Sequence, residues 1–270
     1  MVAAIEESLG TLAFLIYLAA AVAALIYLRA RHNFLNRLVF ILSGLGLIAH
    51  TAALGARWLS AGHWPFASLY EFVTLFVWAL VGATVWISLR WRLTIITGFT
   101  LPLAVGLLGV AGVLSSDPRP LAPALQSIWL QLHVATAVLA YSAFAISFAL
   151  AVMYLLSERV AGCSADTRLP SPAVLDRYTY STVAFGFAFQ TLLLITGAIW
   201  AEEAWGAWWS WDPKETWALV TWFIYALYLH ARKARGWHGR RAAWLNIAGF
   251  AALLFTLLGV SLLLPGLHAY

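Results

Sequence analysis

The sequence predicts an all-α integral membrane protein, a bundle of eight transmembrane helices, and three observations lead to this fold class. Hydrophobic residues make up 63% of the 270 positions and charged residues only 10%, whereas a soluble domain carries about 25% charged residues. Apolar runs long enough to cross the bilayer as helices recur along the chain. These runs do not alternate in polarity and are too long for the strands of a membrane barrel.

Eight apolar segments are predicted to form the helices, in chain order. They lie at about 9–28, 38–56, 69–89, 93–114, 128–156, 179–200, 215–231 and 243–264. The first begins near Gly10, after two glutamates and without a basic stretch, so we expect a retained helix and not a cleaved signal peptide. No polar stretch is long enough for a soluble domain. Residues 1–270 are therefore predicted to form a single transmembrane domain.

The basic residues predict the orientation of the helices. Of the sixteen Lys and Arg residues, thirteen lie in the connections that follow the first, third, fifth and seventh segments. Basic connections stay on the cytoplasmic side, which places both termini on the extracytoplasmic side. The formal net charge of +5 is thus explained by topology, and we expect a lipid bilayer and no nucleic acid as a partner.

The cysteine content excludes several kinds of chemistry. Cys163 is the single cysteine of the chain. There is consequently no CxxC pair for thiol exchange, no cysteine-rich metal site and no CxxCH sequence for haem attachment. The protein is not itself a c-type cytochrome.

The extracytoplasmic connections carry the unusual residues, above all a tryptophan-rich loop at about 201–217. Its core is WGAWWSWDPKETW, from Trp205 to Trp217, with five tryptophans in thirteen residues. An aromatic belt at the headgroup level is one interpretation. A belt does not need glycine, acids, lysine and proline interleaved in a fixed order, however, so we favour an aromatic platform with a charged rim. Such a platform suits a flat, amphiphilic, anionic ligand such as haem.

Two histidines are predicted to flank this loop at similar depth. His133 lies about one and a half turns into the fifth segment, and His268 follows the eighth segment just past Pro265 and Gly266. Two neutral imidazoles are the natural axial pair of a six-coordinate haem iron. Each histidine alone could equally be a polar residue at the interface, and their matched depth beside the platform favours ligation.

The other histidines are interpreted differently. His230 lies near the cytoplasmic end of the seventh segment, and roughly 20 Å of helix separates it from Asp212. It either caps the helix end beside Arg232 or ligates a second haem within the membrane. His50 is interpreted as a buried, hydrogen-bonded residue, with haem ligation as the alternative. We assign no role to His32 and His238, which lie in basic connections, and leave the role of His63 open.

The segment WGAWWSWDPKETWALVTWFIYALYLHAR resembles the signature of haem-handling proteins with a tryptophan-rich WWD domain. More narrowly, the chain resembles the CcsA/ResC-type subunit, also named CcsB in bacteria, of System II cytochrome c maturation. RWLSAGHWPFASLYEF, LQLHVATAVLAYSAF around His133 and the terminal GLHAY agree with this resemblance.

The resemblance implies the ligands and contacts of haem b, iron protoporphyrin IX. It implies that His133 and His268 are the axial ligands of an external haem. It implies that His230 binds a haem within the membrane, with the opposite ligand from a ResB-like partner subunit. The haem-contacting residues that it implies are Trp205, Gly206, Trp208, Trp209, Trp211, Asp212 and Pro213.

The resemblance also implies an activity and a location. The expected function is transport of haem to the outer face and its presentation to the CxxCH of an apocytochrome c, as part of a holocytochrome c synthase. No residue is assigned as a catalytic acid, and Asp212 and Glu215 are expected at least equally to shape the loop. The expected location is the inner (plasma) membrane, or the thylakoid membrane in a photosynthetic source.

Three alternatives remain. A haem exporter or haem-binding chaperone without catalysis would use the same histidines. A cytochrome b would need two pairs of histidines on facing helices, which the sequence does not show. A HemX-type regulator of haem synthesis would not need the tryptophan-rich loop.

Overall fold

The structure is a computed structural model that describes residues 2–117, 121–161 and 169–264. Throughout these ranges the regular structure is helical, as the sequence predicts. The helices are α1 (Val2–Ala30), α2 (Asn33–Ala61), α3 (Leu69–Arg90), α4 (Thr97–Ala111), α5 (Ile128–Ala161), α6 (Pro172–Trp205), α7 (Pro213–Arg235) and α8 (Arg240–Leu263). Short 3₁₀ turns precede α4 and α5, and α8 contains a π-helical turn at Phe255–Gly259.

Seven of these helices are long and apolar enough to cross a membrane, judged by length and composition within the described residues, with α4 counted together with the 3₁₀ turn before it (Thr94–Ala111). The exception is α7. Its apolar residues alternate with Trp, Thr, Tyr and His, and its last turn holds Arg232, Lys233 and Arg235. The all-helical, multi-pass prediction is confirmed, whereas the eighth span and the extracytoplasmic placement of both termini stay predictions.

Several helices extend beyond the predicted apolar segments. The segment predicted at 179–200 lies in α6, which runs from Pro172 to Trp205. The loop expected from residue 201 therefore begins only after Trp205. Likewise α2 continues to Ala61, so Arg57 belongs to a helix and not to the connection where the sequence placed it. Polar residues continue a helix readily once the backbone is already helical, and the apolar run alone does not mark its end.

The chain divides into two compact units, Met1–Pro123 (unit 1) and Ala124–Tyr270 (unit 2). In unit 1, α1 packs along α2, where the ring of Tyr17 lies against Gly46. The buried Arg57 bonds Glu71 (2.7 Å) and Glu6 (3.3 Å), which ties α2 to α3 and α1. The prediction of a single transmembrane domain is not tested by this division.

In unit 2, α5 is the central helix, and 78% of its most apolar stretch is buried. Close packing depends on glycines of the neighbouring helices, since Gly186 lies against Phe144 and Gly249 against Tyr225. Polar contacts add to this packing. Ser147 of α5 and Asn246 of α8 exchange two hydrogen bonds of 2.9 and 2.8 Å, and Trp222 of α7 donates to Thr191 of α6 (2.9 Å).

Candidate functional site

The tryptophan-rich loop runs from Gly206 to Asp212, between α6 and α7. Gly206 ends α6 in the left-handed conformation (φ 72°), and its N–H donates to the carbonyl of Glu202. Glycine is favoured at this position because it has no Cβ to clash. Asp212 begins α7 as its N-cap, followed by Pro213 in the first turn. The sequence D-P-K-E is thus a helix start signal, with a capping acid, a proline and a glutamate.

Glu215 organises the loop from the first turn of α7. Its Oε2 accepts hydrogen bonds from the N–H of Ser210 (2.8 Å), the hydroxyl of Ser210 (3.2 Å) and the N–H of Asp212 (3.2 Å). The carboxylate of Asp212 in turn accepts from the N–H of Lys214 (2.9 Å). Both acids are therefore used in shaping the loop, which is the structural role that the sequence analysis left open for them.

The loop holds Trp208 and Trp211 with their rings largely exposed, at 59% and 69% of their surface. Trp209 is half-buried and meets Trp211 edge to face, with 5.8 Å between ring centroids. The Nε1 of Trp209 is enclosed and has no hydrogen-bond partner among the described residues. Trp211 adopts a positive φ of 57°, which is uncommon for a residue other than glycine. The loop thus presents two indole faces to the outside.

A second aromatic row leads from the loop into the helices. Trp205, at the end of α6, meets Trp200 edge to face at 4.9 Å, and Trp200 stacks on the imidazole of His133 at 6.1 Å. Trp200 is fully buried, and its Nε1 donates to the carbonyl of Ala124 (2.8 Å). Trp200 is not among the site residues predicted from the sequence. It lies within an apolar segment, and a spacing of five residues does not place it on the same helix face as Trp205, so no pattern in the sequence indicates their contact.

His133 lies in the second turn of α5, which begins at Ile128. Its Nδ1 is 2.9 Å from the carbonyl oxygen of Leu193 on α6. A carbonyl only accepts, so Nδ1 carries the proton and the lone pair of the neutral ring is on Nε2. A histidine that ligates a metal commonly donates its other ring N–H to a carbonyl in this way. The ring reaches α6 at Gly197, where a Cβ would lie 2.7 Å from Nδ1.

Two further contacts concern the polar residues around the loop. Ser127, just before α5, donates to the carboxylate of Glu203 in the last turn of α6 and accepts from the N–H of Trp129 (3.1 Å). These bonds hold the start of α5 against the end of α6.

The structure does not bring all predicted ligands together. His230 lies on the continuous helix α7 and is exposed, about 25 Å along the axis from Pro213 at 1.5 Å per residue. His133 and His230 therefore cannot share one haem iron. His268, with Pro265 and Gly266, lies outside the described residues. Over the residues that are described, no group of three or more His, Cys, Asp or Glu side chains could hold a metal ion.

The remaining histidines are placed as follows. His50 of unit 1 is buried as expected, but its Nδ1 has no hydrogen-bond partner in the described part of the chain, so the expectation of a hydrogen-bonded residue is wrong for this atom. The Nδ1 of His63 lies 2.8 Å from the carbonyl oxygen of Trp64. His238 lies 3.3 Å from the carboxylate of Asp176.

Comparison with known proteins identifies the family of the chain. Residues 66–268 match the family described as cytochrome c assembly protein. The chain is 36% identical over 249 residues to the cytochrome c biogenesis protein CcsA of Guillardia theta, covering 84% of this chain and 83% of that protein. It is 33% identical to the CcsA protein of Gloeobacter violaceus, covering 84% of both chains.

A solved structure shares the fold. The chain superposes on the cytochrome c haem lyase CcmF with a TM-score of 0.74 and 19% sequence identity. The match covers 96% of this chain and 47% of that protein, so the chain spans about half of its length. At this identity the likeness shows the fold alone.

Proposed function

Because the chain belongs to the cytochrome c assembly protein family, we propose that it is the haem-handling subunit of a System II cytochrome c synthase. In this role it carries haem b to the extracytoplasmic face and presents it for covalent attachment to the CxxCH of an apocytochrome c. The observation that supports this proposal most directly is the hydrogen bond from Nδ1 of His133 to the carbonyl of Leu193. It orients an imidazole beside the tryptophan-rich loop in the tautomer that iron ligation requires.

His133 is proposed as one axial ligand of the external haem through Nε2. The bond to α6 and the stacked Trp200 fix the ring in two directions, so ligation would need little reorientation. His268 is proposed as the opposite ligand. It follows α8 by five residues, and α8 ends on the side of unit 2 where α7 begins, because the two helices are antiparallel neighbours. A bis-imidazole pair gives a low-spin iron without an open coordination position.

The tryptophan-rich loop is proposed to contact the porphyrin ring of this haem. The exposed faces of Trp208 and Trp211 offer apolar, planar surface, and aromatic rings pack well on a flat conjugated ligand. Trp209 supports the ring of Trp211 from its edge, and Gly206 leaves its side of the loop open. Trp205, Asp212 and Pro213 are proposed to act mainly by holding the ends of the loop against α6 and α7.

His230 is proposed to bind a second haem within the membrane, on its way from the cytoplasmic side. Its imidazole is exposed on α7 and shares a helix face with Phe223 and Leu227, which are 58% and 52% exposed. An exposed imidazole beside apolar side chains fits a site that a neighbouring helix completes. We propose that this helix comes from a ResB-like partner subunit, which supplies the opposite ligand.

The chemistry at the external site is the addition of two thiols to two vinyl groups. Each S–H bond is broken, the sulfur bonds to the vinyl carbon next to the porphyrin ring, and the hydrogen ends on the terminal carbon. The addition is redox-neutral. The contribution of this chain is to hold haem with its vinyl edge toward the apocytochrome, and positioning of reactants supplies a large part of many barriers. The histidine of the CxxCH then replaces one of the two axial imidazoles.

The proposed setting is the inner (plasma) membrane, or the thylakoid membrane in a photosynthetic source. The tryptophan-rich loop lies on the extracytoplasmic side there, where apocytochromes arrive. The test is the visible spectrum of the purified chain, compared with His133→Ala and His268→Ala, each with and without added imidazole. His32→Ala is the control, because His32 forms no capping hydrogen bond at the start of α2.

We expect a low-spin bis-imidazole spectrum in the wild-type chain and in the control. Either ligand variant is expected to lose it, and added imidazole is expected to restore it by filling the vacated position. Unchanged spectra in both ligand variants would reject this pair and direct the search to His230 and His50.

A haem exporter or chaperone without catalysis is the second candidate. The observation that favours it is that the carboxylates of Asp212 and Glu215 accept capping hydrogen bonds from the backbone. Since both acids have this structural role, neither is assigned to proton transfer in a catalytic step. The two candidates differ in one product. If the chain and its partner subunit form thioether bonds on a CxxCH peptide, the synthase is supported; if haem reaches the outer face without bond formation, the exporter is supported.

A further inference from the structure

Unit 1 contains a cavity of about 440 Å³ between α1, α2, α3 and α4. Phe14, Leu54 and Leu108 are among its apolar lining residues, while Glu6 and Arg57 lie at its charged end. Its volume lies within the range of about 300–1,000 Å³ that is common for small-molecule sites. The cavity belongs to unit 1 alone, so it is separate from the site described above in unit 2.

His50 lines this cavity and is 3% exposed. Its Nδ1 has no hydrogen-bond partner among the described residues, and the same holds for the hydroxyl of Tyr17, whose ring meets the imidazole edge to face at 5.8 Å. Buried polar side-chain atoms are nearly always hydrogen-bonded. An imidazole whose buried Nδ1 has no partner, beside a cavity within an apolar helix, therefore indicates that a ligand provides the missing partner.

The charges at the cavity exclude an anionic ligand. Glu6 and Glu7 both line it, against the single base Arg57. The guanidinium of Arg57 already bonds Glu71, Glu6 and the carbonyl of Ser116. A phosphate headgroup or the carboxylates of haem would meet acidic side chains without a cation to pair with. The ligand is therefore neutral or cationic at this end.

The depth of His50 excludes an ordinary glycerolipid. His50 lies seven residues before Arg57 on α2, about 10 Å farther along the helix from the charged end. A lipid that keeps its headgroup at the charged end would place acyl carbons against the imidazole, and these form no hydrogen bond. The ligand needs an oxygen on a ring that is otherwise apolar enough to lie at this depth.

We propose that this cavity binds the ring of a membrane quinone or hydroquinone, with a ring oxygen hydrogen-bonded to His50. A neutral imidazole nitrogen serves either form, since it donates to a quinone carbonyl in one tautomer and accepts from a hydroquinone hydroxyl in the other. The apolar walls take the ring and the start of the isoprenoid tail. This site goes beyond the proposed function and does not depend on haem.

The test is photolabelling of the purified full-length chain in phosphatidylcholine nanodiscs with an azido-quinone analogue, mapped by mass spectrometry. Decylubiquinone competes in one arm and diacylglycerol in another. His50→Phe keeps a ring of similar size and removes both nitrogens, and His32→Phe is its matched control. Gly109→Leu fills the cavity, because Gly109 lines it and an added Cβ there would meet open space. Gly44→Leu on α2 is its control, since an added Cβ at Gly44 also meets nothing within 4 Å.

We expect saturable labelling of peptides that line the cavity, displaced by decylubiquinone and not by diacylglycerol. His50→Phe is expected to weaken binding about tenfold, the effect of one buried hydrogen bond, and Gly109→Leu to abolish it, with both controls unchanged. The proposal is overturned if labelling does not saturate, if diacylglycerol competes equally well, or if both cavity variants label like the wild type. Both the expected and the contradicting outcome are measured by labelling alone, so neither depends on whether the chain binds haem.

Discussion

His133 approaches the backbone of α6 only because residue 197 has no side chain. A Cβ at Gly197 would lie 2.7 Å from Nδ1 and 2.8 Å from Cε1 of the imidazole. Carbon atoms do not approach a ring this closely, and a packed interior yields little. A side chain at position 197 would therefore move the ring away from the carbonyl of Leu193, which accepts its hydrogen bond at 2.9 Å.

The substitution Gly197→Ala tests the orientation of the His133 ring, because it keeps the histidine itself in place. Alanine favours a helix by about 1 kcal/mol over glycine, so we expect the variant to fold, with its ring displaced. In the visible spectrum of the purified chain, the low-spin haem signal should fall and partly return with added imidazole.

Gly44→Ala is the matched control for this variant, because a Cβ at Gly44 meets nothing within 4 Å. It should leave the spectrum unchanged. A wild-type spectrum for Gly197→Ala as well would mean that the bond to Leu193 does not position the ligand.

The acids of the tryptophan-rich loop act through the backbone. Trp211 is held at a positive φ of 57°, a conformation that costs about 1–3 kcal/mol for a residue other than glycine. The bonds from Ser210 and Asp212 to Glu215, and from Lys214 to Asp212, lie on both sides of Trp211. A capping bond contributes about 1 kcal/mol. The bonds to the two carboxylates, Glu215 and Asp212, together offset the strain and keep the indole of Trp211 outward.

At the scale of helices, one buried base connects three elements of unit 1. Arg57 of α2 is 4% exposed and bonds Glu71 of α3 at 2.7 Å and Glu6 of α1 at 3.3 Å. Glu71 also accepts the N–H of Ala67 (2.7 Å), and Glu6 accepts the hydroxyl of Ser60 (3.0 Å). Removing the base would leave two buried carboxylates without their cation, which costs more than the pair itself contributes.

The substitution Arg57→Met should destabilise unit 1 by about 3–5 kcal/mol, the usual effect of breaking a buried ion pair from one side. The thermal midpoint of the chain in detergent should fall, while Arg37→Met, at an exposed position, should leave it nearly unchanged. The double variant Arg57→Met with Glu71→Gln should recover part of the loss, because one uncompensated charge is removed. Equal midpoints for the single and double variants would contradict this explanation.

These two features show which elements the sequence predicts and which it does not. The cap D-P-K-E lies within four residues, so the order of its side chains can be recognised in the sequence alone. The partners of Arg57 are 14 and 51 residues away, and a single sequence does not reveal such pairs. Trp200 and Gly197 were missed for a related reason, since each fits an apolar helix and acquires its role only when α5 packs against α6.

At the scale of the whole chain, the number of spans depends on α7. Its 23 residues give a length of about 35 Å, enough to cross about 30 Å of hydrocarbon. Tyr225 and Tyr228 are buried on one face, while Phe223 and Leu227 are exposed on another. Apolar residues on both faces suit a helix that packs in a bundle and meets lipid elsewhere. We therefore expect α7 to be the eighth span, although its overall composition is more polar than that of the other seven.

Cysteine labelling in intact cells tests this expectation. The background variant is Cys163→Ser, which removes the single native cysteine. Ser115→Cys, Ser210→Cys and Ala234→Cys then place one thiol each at exposed positions, the last two on either side of α7. Since basic connections stay in the cytoplasm, a membrane-impermeant maleimide should label positions 115 and 210 and should reach position 234 only after the cells are opened.

Labelling of both 210 and 234 in intact cells would mean that α7 does not cross the membrane. The chain would then have an odd number of spans, and its two termini would lie on opposite sides. His230 would also leave the bilayer, and the membrane haem site proposed for it would be lost. His268 would lie on the side opposite to His133, so the proposed axial pair would be lost as well, although the contacts that orient His133 against α6 would remain. The same labels therefore decide the topology and test both haem sites.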